Sequence, residues 1–301
     1  MGLEQHSYDI HRNLYAGTKT QQELAVYKQW FDRYTVDLWR HLRMLSVLDA
    51  FLDHHLQARW LTVGDGRFGT SATYINRKGG KALASDIDVS LLEIARQEQM
   101  IPDFALANAE NLPFDDNTFE YAYCKQSYHH FPRPALAVYE MLRVSSEAIV
   151  FTEPHEFYPA PFTRNILQSV KHAGKRLFGK VNVHHDTGNY ETIGNYVYAI
   201  SVREFEKMAL GLGLPAMAYK KFQDVYIPGV EQEMVESAGP LMKKIKKALR
   251  RNRMLNFLKV AEPNTIQMIL FKNKPGTQII ADLKRNGYTY TVLPQNPHPV
   301  S

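Results

Sequence analysis

The sequence predicts an α/β protein whose core is a doubly wound, mostly parallel sheet. Short apolar segments of strand-like composition alternate with amphipathic helical segments through the middle of the chain. Crossovers between parallel strands are right-handed, and this places helices on both faces of the sheet. The chain has 301 residues, 45% of them hydrophobic, which is enough for a sizeable core.

Residues 1–58 predict a helical cap that precedes the sheet. Leucines recur there at spacings of three and four, the period of one face of a helix. We therefore expect at least one long amphipathic helix. The leucines are Leu38, Leu42, Leu45, Leu48 and Leu52.

Residues 59–154 carry the alternation and predict the core of the fold. The five strand segments are Arg59–Val63, Lys81–Ser85, Phe104–Ala107, Phe119–Cys124 and Ala148–Thr152. The helical patterns between them lie at 70–75, 89–97 and 135–143.

The second half of the chain is less regular. Residues 155–200 are rich in Gly, Pro, His and Tyr and predict an insertion over the functional site. The α/β pattern returns in 201–273, where a basic helical insert at 239–259 separates two strands, and 274–301 form a tail. The expected elements are a helix at 202–212, strands at 217–227 and 265–271, a tail helix at 278–285 and a tail strand at 288–292.

The charge is concentrated in the basic insert. The whole chain has a formal net charge of +5, but residues 239–259 alone carry +8, so the remainder is mildly acidic. This distribution favours a local anionic contact through 241–253, with phosphate groups or an anionic membrane, over nucleic-acid binding by the whole surface. The alternative is a solvated helix that docks through a stripe formed by Leu241, Ile245 and Leu249.

Composition also indicates the compartment. The single cysteine, Cys124, cannot form an intramolecular disulfide, and the first residues lack the apolar region of a secretory signal. No apolar stretch approaches the ~18 to 20 residues of a membrane-spanning helix. We therefore expect a cytoplasmic protein.

A glycine loop follows the first strand and precedes a helix. Gly64, Gly66 and Gly69 are spaced as in loops that let the backbone approach a nucleotide at a helix N-terminus. Asp86 ends the next strand, twenty residues after Gly66, where a carboxylate can accept both hydroxyl protons of a ribose. This pair indicates a nucleoside-binding site, and it is also compatible with a nicotinamide-dependent oxidoreductase.

The segment from Leu106 to Glu120 separates the cofactors. It contains Asn-Ala-Glu-Asn-Leu-Pro-Phe, a turn, and Phe-Glu at the start of the fourth strand. With Tyr128-His129-His130-Phe131 and Phe151-Thr152-Glu153-Pro154, it resembles the class I S-adenosylmethionine-dependent methyltransferases of the type 11 group. The resemblance covers roughly 59–154, with weaker matches at 201–227 and 265–273. It implies a Rossmann-like sheet of seven mostly parallel strands.

The resemblance also implies roles for single residues in binding S-adenosylmethionine. The three glycines would lie under the methionine part, Asp86 would bind the ribose, and Ile87 would pack on the sugar or the purine. Asn108 and the backbone of Ala109 would read the adenine edge, unless the Asn108 side chain only forms a turn. The cofactor-binding residues expected in this way are Gly64, Asp65, Gly66, Gly69, Asp86, Ile87, Asn108, Ala109 and Lys125.

The sequence departs from the family pattern at two places near the glycines. Thr62 stands where the family has an acid, and the glycine loop is one residue longer than usual. Asp65 is the nearest carboxylate that could replace the missing acid as partner of the cofactor ammonium group, although it could also cap the following helix. The Pro-Gly-Gly turn before the fifth strand is replaced by residues 145–147.

Methyl transfer to a hydroxyl requires a base, and histidine suits this role near neutral pH. His129 and His130 follow the fourth strand, at the sheet edge where ligands bind, and are the first candidates, unless they only pack under the loop. Glu153 and His155, with Glu156, follow the fifth strand and are the second choice.

The predicted insertion contains further polar and aromatic residues. His184, His185 and Asp186 have metal-ligating side chains, but neighbours on one segment seldom converge on one ion, so we expect a polar lid and no metal. The tyrosines that could stack on an acceptor, or fill a small satellite core, are Tyr190, Tyr196 and Tyr198.

The favoured function is a cytoplasmic methyltransferase that uses S-adenosylmethionine to methylate a small molecule or a sugar or glycan acceptor, at oxygen. The glycan acceptor rests on a resemblance of residues 129–134 to methyltransferases of surface-polysaccharide pathways. Two alternatives remain: a nicotinamide-dependent oxidoreductase, which leaves the Asn108–Phe114 segment unexplained, and a catalytically silent fold that binds the cofactor and regulates a partner.

Overall fold

The computed structural model describes residues 3–12, 21–156, 196–237, 239–258 and 261–298. Eight strands form one sheet in the order β3-β2-β1-β4-β5-β7-β6-β8. The strands are β1 Arg59–Val63, β2 Lys81–Asp86, β3 Phe104–Leu106, β4 Phe119–Lys125, β5 Ser145–Pro154, β6 Ala216–Phe222, β7 Thr265–Phe271 and β8 Thr289–Val292. The helices are α1 Leu3–Arg12, α2 Gln21–Lys28, α3 Val36–Leu45, α4 Asp49–Leu52, α5 Thr70–Arg77, α6 Ser90–Gln97, α7 Pro134–Val144, α8 Val202–Gly211, α9 Pro240–Phe257 and α10 Thr277–Arg285.

The mostly parallel, doubly wound sheet is confirmed. Strands β1 to β5 pair in parallel, whereas β7 is antiparallel to β5 and β6, and β8 is antiparallel to β6. The expected number of seven strands is wrong by one, because α10 returns the tail to the open edge of β6, where β8 adds an eighth strand. Unpaired edge groups of a strand favour such an addition.

Two apolar layers cover the sheet. One face packs against the segments that include α4, α5, α6 and α10, and the other against α7 and α8. On the first face Trp60 is fully buried and stacks on Tyr121, with ring centroids 4.5 Å apart and Phe51 at its edge. The amphipathic spacing of the helices explains these layers, since each helix turns one apolar stripe to the sheet.

The leucine-rich segment of the N-terminal region is not one long helix. A 3₁₀ turn at Ser46–Leu48 separates α3 from α4, so the expected continuous helix is wrong in this detail. The apolar face is nevertheless continuous, because Leu45 and Leu48 on either side of the break are both fully buried. Thr35 caps α3 by accepting a hydrogen bond from Leu38 N.

The end of α3 is fixed to the sheet by buried hydrogen bonds. The carbonyl of Met44 accepts bonds from the Tyr123 and Thr152 hydroxyls at 3.1 Å each and from Gln267 Nε2 at 2.8 Å. Gln267 is fully buried in β7, and its other amide atom accepts a 2.6 Å bond from the Tyr288 hydroxyl. Four sheet residues thus satisfy one helix end and hold α3 in register.

The basic insert forms α9, which docks through part of its apolar stripe. Met242 and Ile245 are buried against Val36 and Val230. The carboxylate of Glu233 accepts hydrogen bonds from the first backbone N–H groups of α9 and caps the helix. The docked alternative therefore describes this face. In the described part of the chain, no helix combines the length and apolar character needed to cross a bilayer.

Replacing Gln267 by methionine tests the buried hydrogen bonds of α3. Gln267→Met keeps the volume but leaves Tyr288 and part of the Met44 carbonyl without their partner, so we expect a loss of about 2–3 kcal/mol in the free energy of unfolding. Urea unfolding followed by circular dichroism measures this change. The control Gln278→Met, on the exposed side of α10, should lie within about 0.5 kcal/mol of the wild type. Equal stabilities of the two variants would contradict the assignment.

Candidate active site

The predicted site residues lie where the parallel strands end. The glycine loop follows β1, Asp86 is the last residue of β2, and residues 126–131 follow β4. Glu153 lies near the end of β5, the strand next to β4. Ligands of doubly wound sheets bind at this edge, because all the parallel strands deliver their loops there.

Two of the glycines are required by close contacts. Gly64 has a φ of +70°, and a Cβ there would lie 2.4 Å from Ser127 Cβ. At Gly66, a Cβ would lie 2.5 Å from the Asp86 carboxyl carbon. Any side chain at these positions would displace the loop after β4 or the carboxylate of β2.

Backbone groups hold the Asp86 carboxylate in place. One oxygen accepts a 2.8 Å bond from Gly66 N, and the other accepts a 2.9 Å bond from Asp88 N. Burial raises the pKa of Asp86 to about 6, and the two N–H donors only partly offset that effect. The carboxylate is thus fixed in orientation but has lone pairs left for other donors.

A cleft opens beside this carboxylate. It is lined by the predicted residues Gly64, Asp86, Ile87, Asn108 and Ala109. The sequence analysis did not identify its other walls, which come from α1 and from the loop after β4. They include Ser7, Tyr8, His11, Gln126, Ser127 and Phe131.

Helix α1 closes one side of the cleft through a buried contact. Arg133 donates to the Glu110 carboxylate from N and Nε at 2.7 Å each, and from Nη2 to the Tyr8 hydroxyl at 2.9 Å. Tyr8 in turn donates to Glu110. Glu110 belongs to the Asn-Ala-Glu segment, so this motif anchors the helix over the cleft. A tyrosine so far from Glu110 in sequence gave no local signal for this role.

Asn108 lines the cleft but also forms a turn. Its side-chain oxygen accepts a 3.0 Å bond from Glu110 N, the contact of the turn-forming alternative. The expected adenine contacts of Asn108 and Ala109 stay predictions.

Three expected cofactor residues do not line this cleft. Asp65 accepts bonds from Ser71 N at 3.1 Å and Ala72 N at 2.9 Å, and from the Thr62 hydroxyl, so it caps α5. The ammonium contact proposed for Asp65 stays a prediction. Gly69, with a φ of +60°, allows α5 to approach Ile101.

Lys125 is the third of these residues. Its Nζ lies 3.4 Å from Nδ1 of His41 in α3, a neighbour that the sequence pattern did not indicate. Burial lowers the pKa of Lys125 and holds the pKa of His41 well below its usual range. Asp65, Glu153 and Asp37 act in the opposite direction on Lys125, so its cation is compensated by nearby carboxylates.

Glu153 organises the loop after β4. Its side chain is fully buried, and Oε1 accepts bonds from Ser127 N at 2.9 Å and Tyr128 N at 3.1 Å. Oε2 lies 2.7 Å from Nδ1 of His129. Because it is buried behind the loop, Glu153 acts through these groups, and we correct its expected role from a base to a positioning residue.

The candidate histidines are separated by the structure. His129 is held by Glu153, and its ring lies 4.0 Å, centroid to centroid, from that of His130, which lines the cleft. His155 instead lies 3.0 Å from the Pro263 carbonyl, and burial lowers its pKa. The structure therefore does not bring His155 together with the other two.

The predicted lid lies mostly outside the described residues. This applies to His184, His185, Asp186 and Tyr190. Tyr196 and Tyr198 pack edge to face with their ring centroids 5.0 Å apart, and Tyr198 also contacts the core on the α7 side of the sheet. Within the described ranges, no three side chains of metal-binding type come together.

Comparisons with known proteins support the site geometry. Residues 61–148 match the family described as a methyltransferase domain. A demethylmenaquinone methyltransferase from Paenarthrobacter aurescens is 30% identical over 107 residues, which cover 36% of this chain and 40% of that protein. The match thus spans less than half the length of this curated relative.

Solved structures share the fold. The YcgJ protein from Bacillus subtilis is 17% identical, with a TM-score of 0.50, and the match covers 77% of this chain and 99% of that one. Magnesium protoporphyrin IX methyltransferase from Synechocystis, solved with bound S-adenosylhomocysteine, is 10% identical, with a TM-score of 0.49 and coverage of 89% and 100%.

The matched region contains the glycine loop, Asp86, the Asn-Ala-Glu segment and the histidine loop after β4. Through residues 61–148, the chain therefore belongs to the class I S-adenosylmethionine-dependent methyltransferases.

Proposed function

We propose that the protein transfers the methyl group of S-adenosylmethionine to a hydroxyl of a small-molecule acceptor. The observation that carries this proposal is the Asp86 carboxylate, fixed by Gly66 N and exposed to a cleft beside Ile87 and Ala109. A fixed carboxylate beside an apolar wall and a free backbone edge is the arrangement that an adenosine group requires.

The residues present fit the cofactor. Asp86 would accept the two ribose hydroxyl protons, Ile87 would pack on the sugar or purine, and Ala109 would offer its backbone to the adenine edge. Gly64 and Gly66 leave room for the methionine part, because neither position can hold a Cβ without a clash. When bound, the cofactor supplies a methyl group activated by a sulfonium.

His129 is the residue that we propose as the base. Its Nδ1 faces the Glu153 carboxylate at 2.7 Å, so Nε2 is the nitrogen that would take the acceptor's hydroxyl proton. The buried carboxylate holds the ring in one orientation and stabilises the imidazolium that forms. This dyad supports methylation at oxygen, since a hydroxyl must lose its proton during transfer.

The acceptor class is guided by the curated relative. Its name describes the methylation of a demethylated quinone, so reduced quinones with a ring hydroxyl are the first acceptors to test. The sugar or glycan acceptor is an alternative that rests on the sequence resemblance alone. Nucleotide sugars should therefore be tested beside the quinols.

Two measurements test the proposed function. Calorimetry with S-adenosylhomocysteine should show binding, whereas NAD should give no heat. Transfer of label from methyl-tritiated S-adenosylmethionine to reduced naphthoquinones, simple phenols and nucleotide sugars should then identify the acceptor. Cofactor binding without transfer to any acceptor of the three classes would favour the catalytically silent fold.

The Asp86→Asn variant tests the ribose contact. Because a carboxylate accepting two hydroxyl protons contributes about 1.5–3 kcal/mol per bond, we expect the Kd of S-adenosylhomocysteine to rise at least about tenfold. Calorimetry measures the affinity, and the melting temperature confirms that the variant is folded. An unchanged Kd would remove the ribose assignment.

The pH dependence of cofactor binding gives a second test of Asp86. Its pKa of about 6 means that the carboxylate is ionised at pH 7.5 and largely protonated at pH 5. A protonated carboxyl is a poorer acceptor, so the affinity of the wild type should fall as the pH is lowered through this range. The Asp86→Asn variant, which cannot titrate there, should show a flatter profile. Parallel profiles for the two proteins would contradict the prediction.

The His129→Asn variant tests the base. General-base catalysis contributes about 10²–10⁴-fold, so kcat should fall by at least about a hundredfold while the Kd of S-adenosylhomocysteine stays within about twofold. The wild-type rate should also decline at acid pH as the imidazole is protonated, and the variant should lose this decline. His54→Asn is the matched control, because His54 forms a similar 2.7 Å pair with Asp282 before β1 begins. A full kcat in His129→Asn would end the proposal of this base.

A further inference from the structure

Helix α9 has a second face that the fold does not use. Its buried side chains, Met242 and Ile245, occupy one side of the helix. Its basic residues all point to solvent, and none forms an ion pair with another described residue. These exposed cations are Lys243, Lys244, Lys246, Lys247, Arg250, Arg251 and Arg253.

Apolar side chains lie among these cations. Met254 is 58% exposed, Phe257 is 85% exposed and Leu258 is 59% exposed. Phe257 is the most exposed large hydrophobic side chain in the described part of the protein. Burial in the fold therefore does not account for the apolar residues at the end of α9.

The spacing of these residues defines one continuous surface. Successive members are separated by four, three, four and three positions, the pattern that places side chains on one side of a helix. We call this surface the outer face of α9. Its members are Lys243, Lys247, Arg250, Met254 and Phe257.

The topology places α9 at the edge of the sheet that carries the cleft. Strand β6 ends at Phe222, which is paired with Thr265 at the start of β7, and Thr265 is paired with Pro154 at the end of β5. The connection that contains α9 thus leaves and re-enters the sheet where the parallel strands end. The outer face belongs to the same end of the molecule as the candidate active site.

We propose that the outer face of α9 binds the surface of an anionic phospholipid bilayer. Lysines and arginines would contact lipid phosphates, and Phe257 and Met254 would insert among the upper parts of the acyl chains. Charge complementarity favours this occupant over a second copy of the chain, whose outer face carries the same positive charge. The exposed apolar side chains favour a bilayer over a nucleic acid, whose phosphate backbone offers them no apolar environment.

Binding to a bilayer would bring the methyl-transfer edge close to acceptors dissolved in the lipid. That consequence rests on the proposed function, whereas the binding itself does not. Vesicle binding and methyl transfer are measured separately, so a failure of one leaves the other proposal standing.

Vesicle sedimentation tests the lipid contact. The full chain is mixed with vesicles of phosphatidylcholine alone or of equal parts phosphatidylcholine and phosphatidylglycerol. We expect binding only to the anionic vesicles, and release at about 0.5 M salt, where charges are screened beyond a few ångströms. Equal binding to both kinds of vesicle, or to neither, would overturn the proposal.

Substitutions on the outer face separate charge from insertion. The triple variant Lys243→Gln, Lys247→Gln, Arg250→Gln should lower the partition coefficient about a hundredfold, because each basic residue near an anionic surface contributes about fivefold. The matched control changes three exposed lysines elsewhere, Lys81→Gln, Lys207→Gln and Lys274→Gln, and should retain most of the binding. Equal losses in the two triple variants would show that only net charge matters and would overturn the assigned face.

The apolar part has its own pair of variants. Phe257→Ser should weaken vesicle binding at least about fivefold, whereas Leu106→Ser, at a side chain that is 63% exposed, should not. Duplex DNA and light scattering test the other occupants. Binding of DNA without vesicle binding, or a dimer that dissociates in Phe257→Ser, would replace the lipid proposal.

Discussion

The site depends on one buried carboxylate, that of Glu153. A charge in the interior is costly unless donors surround it, and here two backbone N–H groups and the His129 ring supply them. The same bonds fix the loop after β4, and the Ser127 hydroxyl of that loop donates a 2.6 Å bond to the Gly64 carbonyl. A single side chain thus couples the histidine loop to the glycine loop, so the two halves of the site cannot move independently.

The cofactor half of the site is built mainly from backbone. Gly66 N and Asp88 N orient the Asp86 carboxylate, and the missing side chains at Gly64 and Gly66 make the close approach of three loops possible. The cover over this half is different in kind, because Tyr8 of α1 reaches it through Glu110 and Arg133. A helix held by polar contacts of this sort can close a cleft without contributing to the core of the sheet.

The basic helix shows how one element carries two roles on two faces. Met242 and Ile245 dock it on α3 and on the loop around Val230, and Glu233 caps its start. These contacts leave the cations and Phe257 outside the fold, at the end of the molecule where the parallel strands finish. The docked and the anion-binding interpretations of the insert are therefore compatible, because they concern opposite sides of the helix.

The sequence by itself determined the strand and helix order, the mostly parallel sheet and the cleft residues Gly64 and Asp86, because periodicity, glycine spacing and strand ends are local properties of the chain. It left His129, His130 and Glu153 as equal alternatives, and Asp65 between two roles. Only the tertiary structure distinguished them, since the burial of Glu153, the capping of α5 by Asp65 and the closure by Tyr8 depend on segments that are distant along the chain. The eighth strand follows the same logic, as its partner β6 is far from it in sequence and is brought there by the packing of α10.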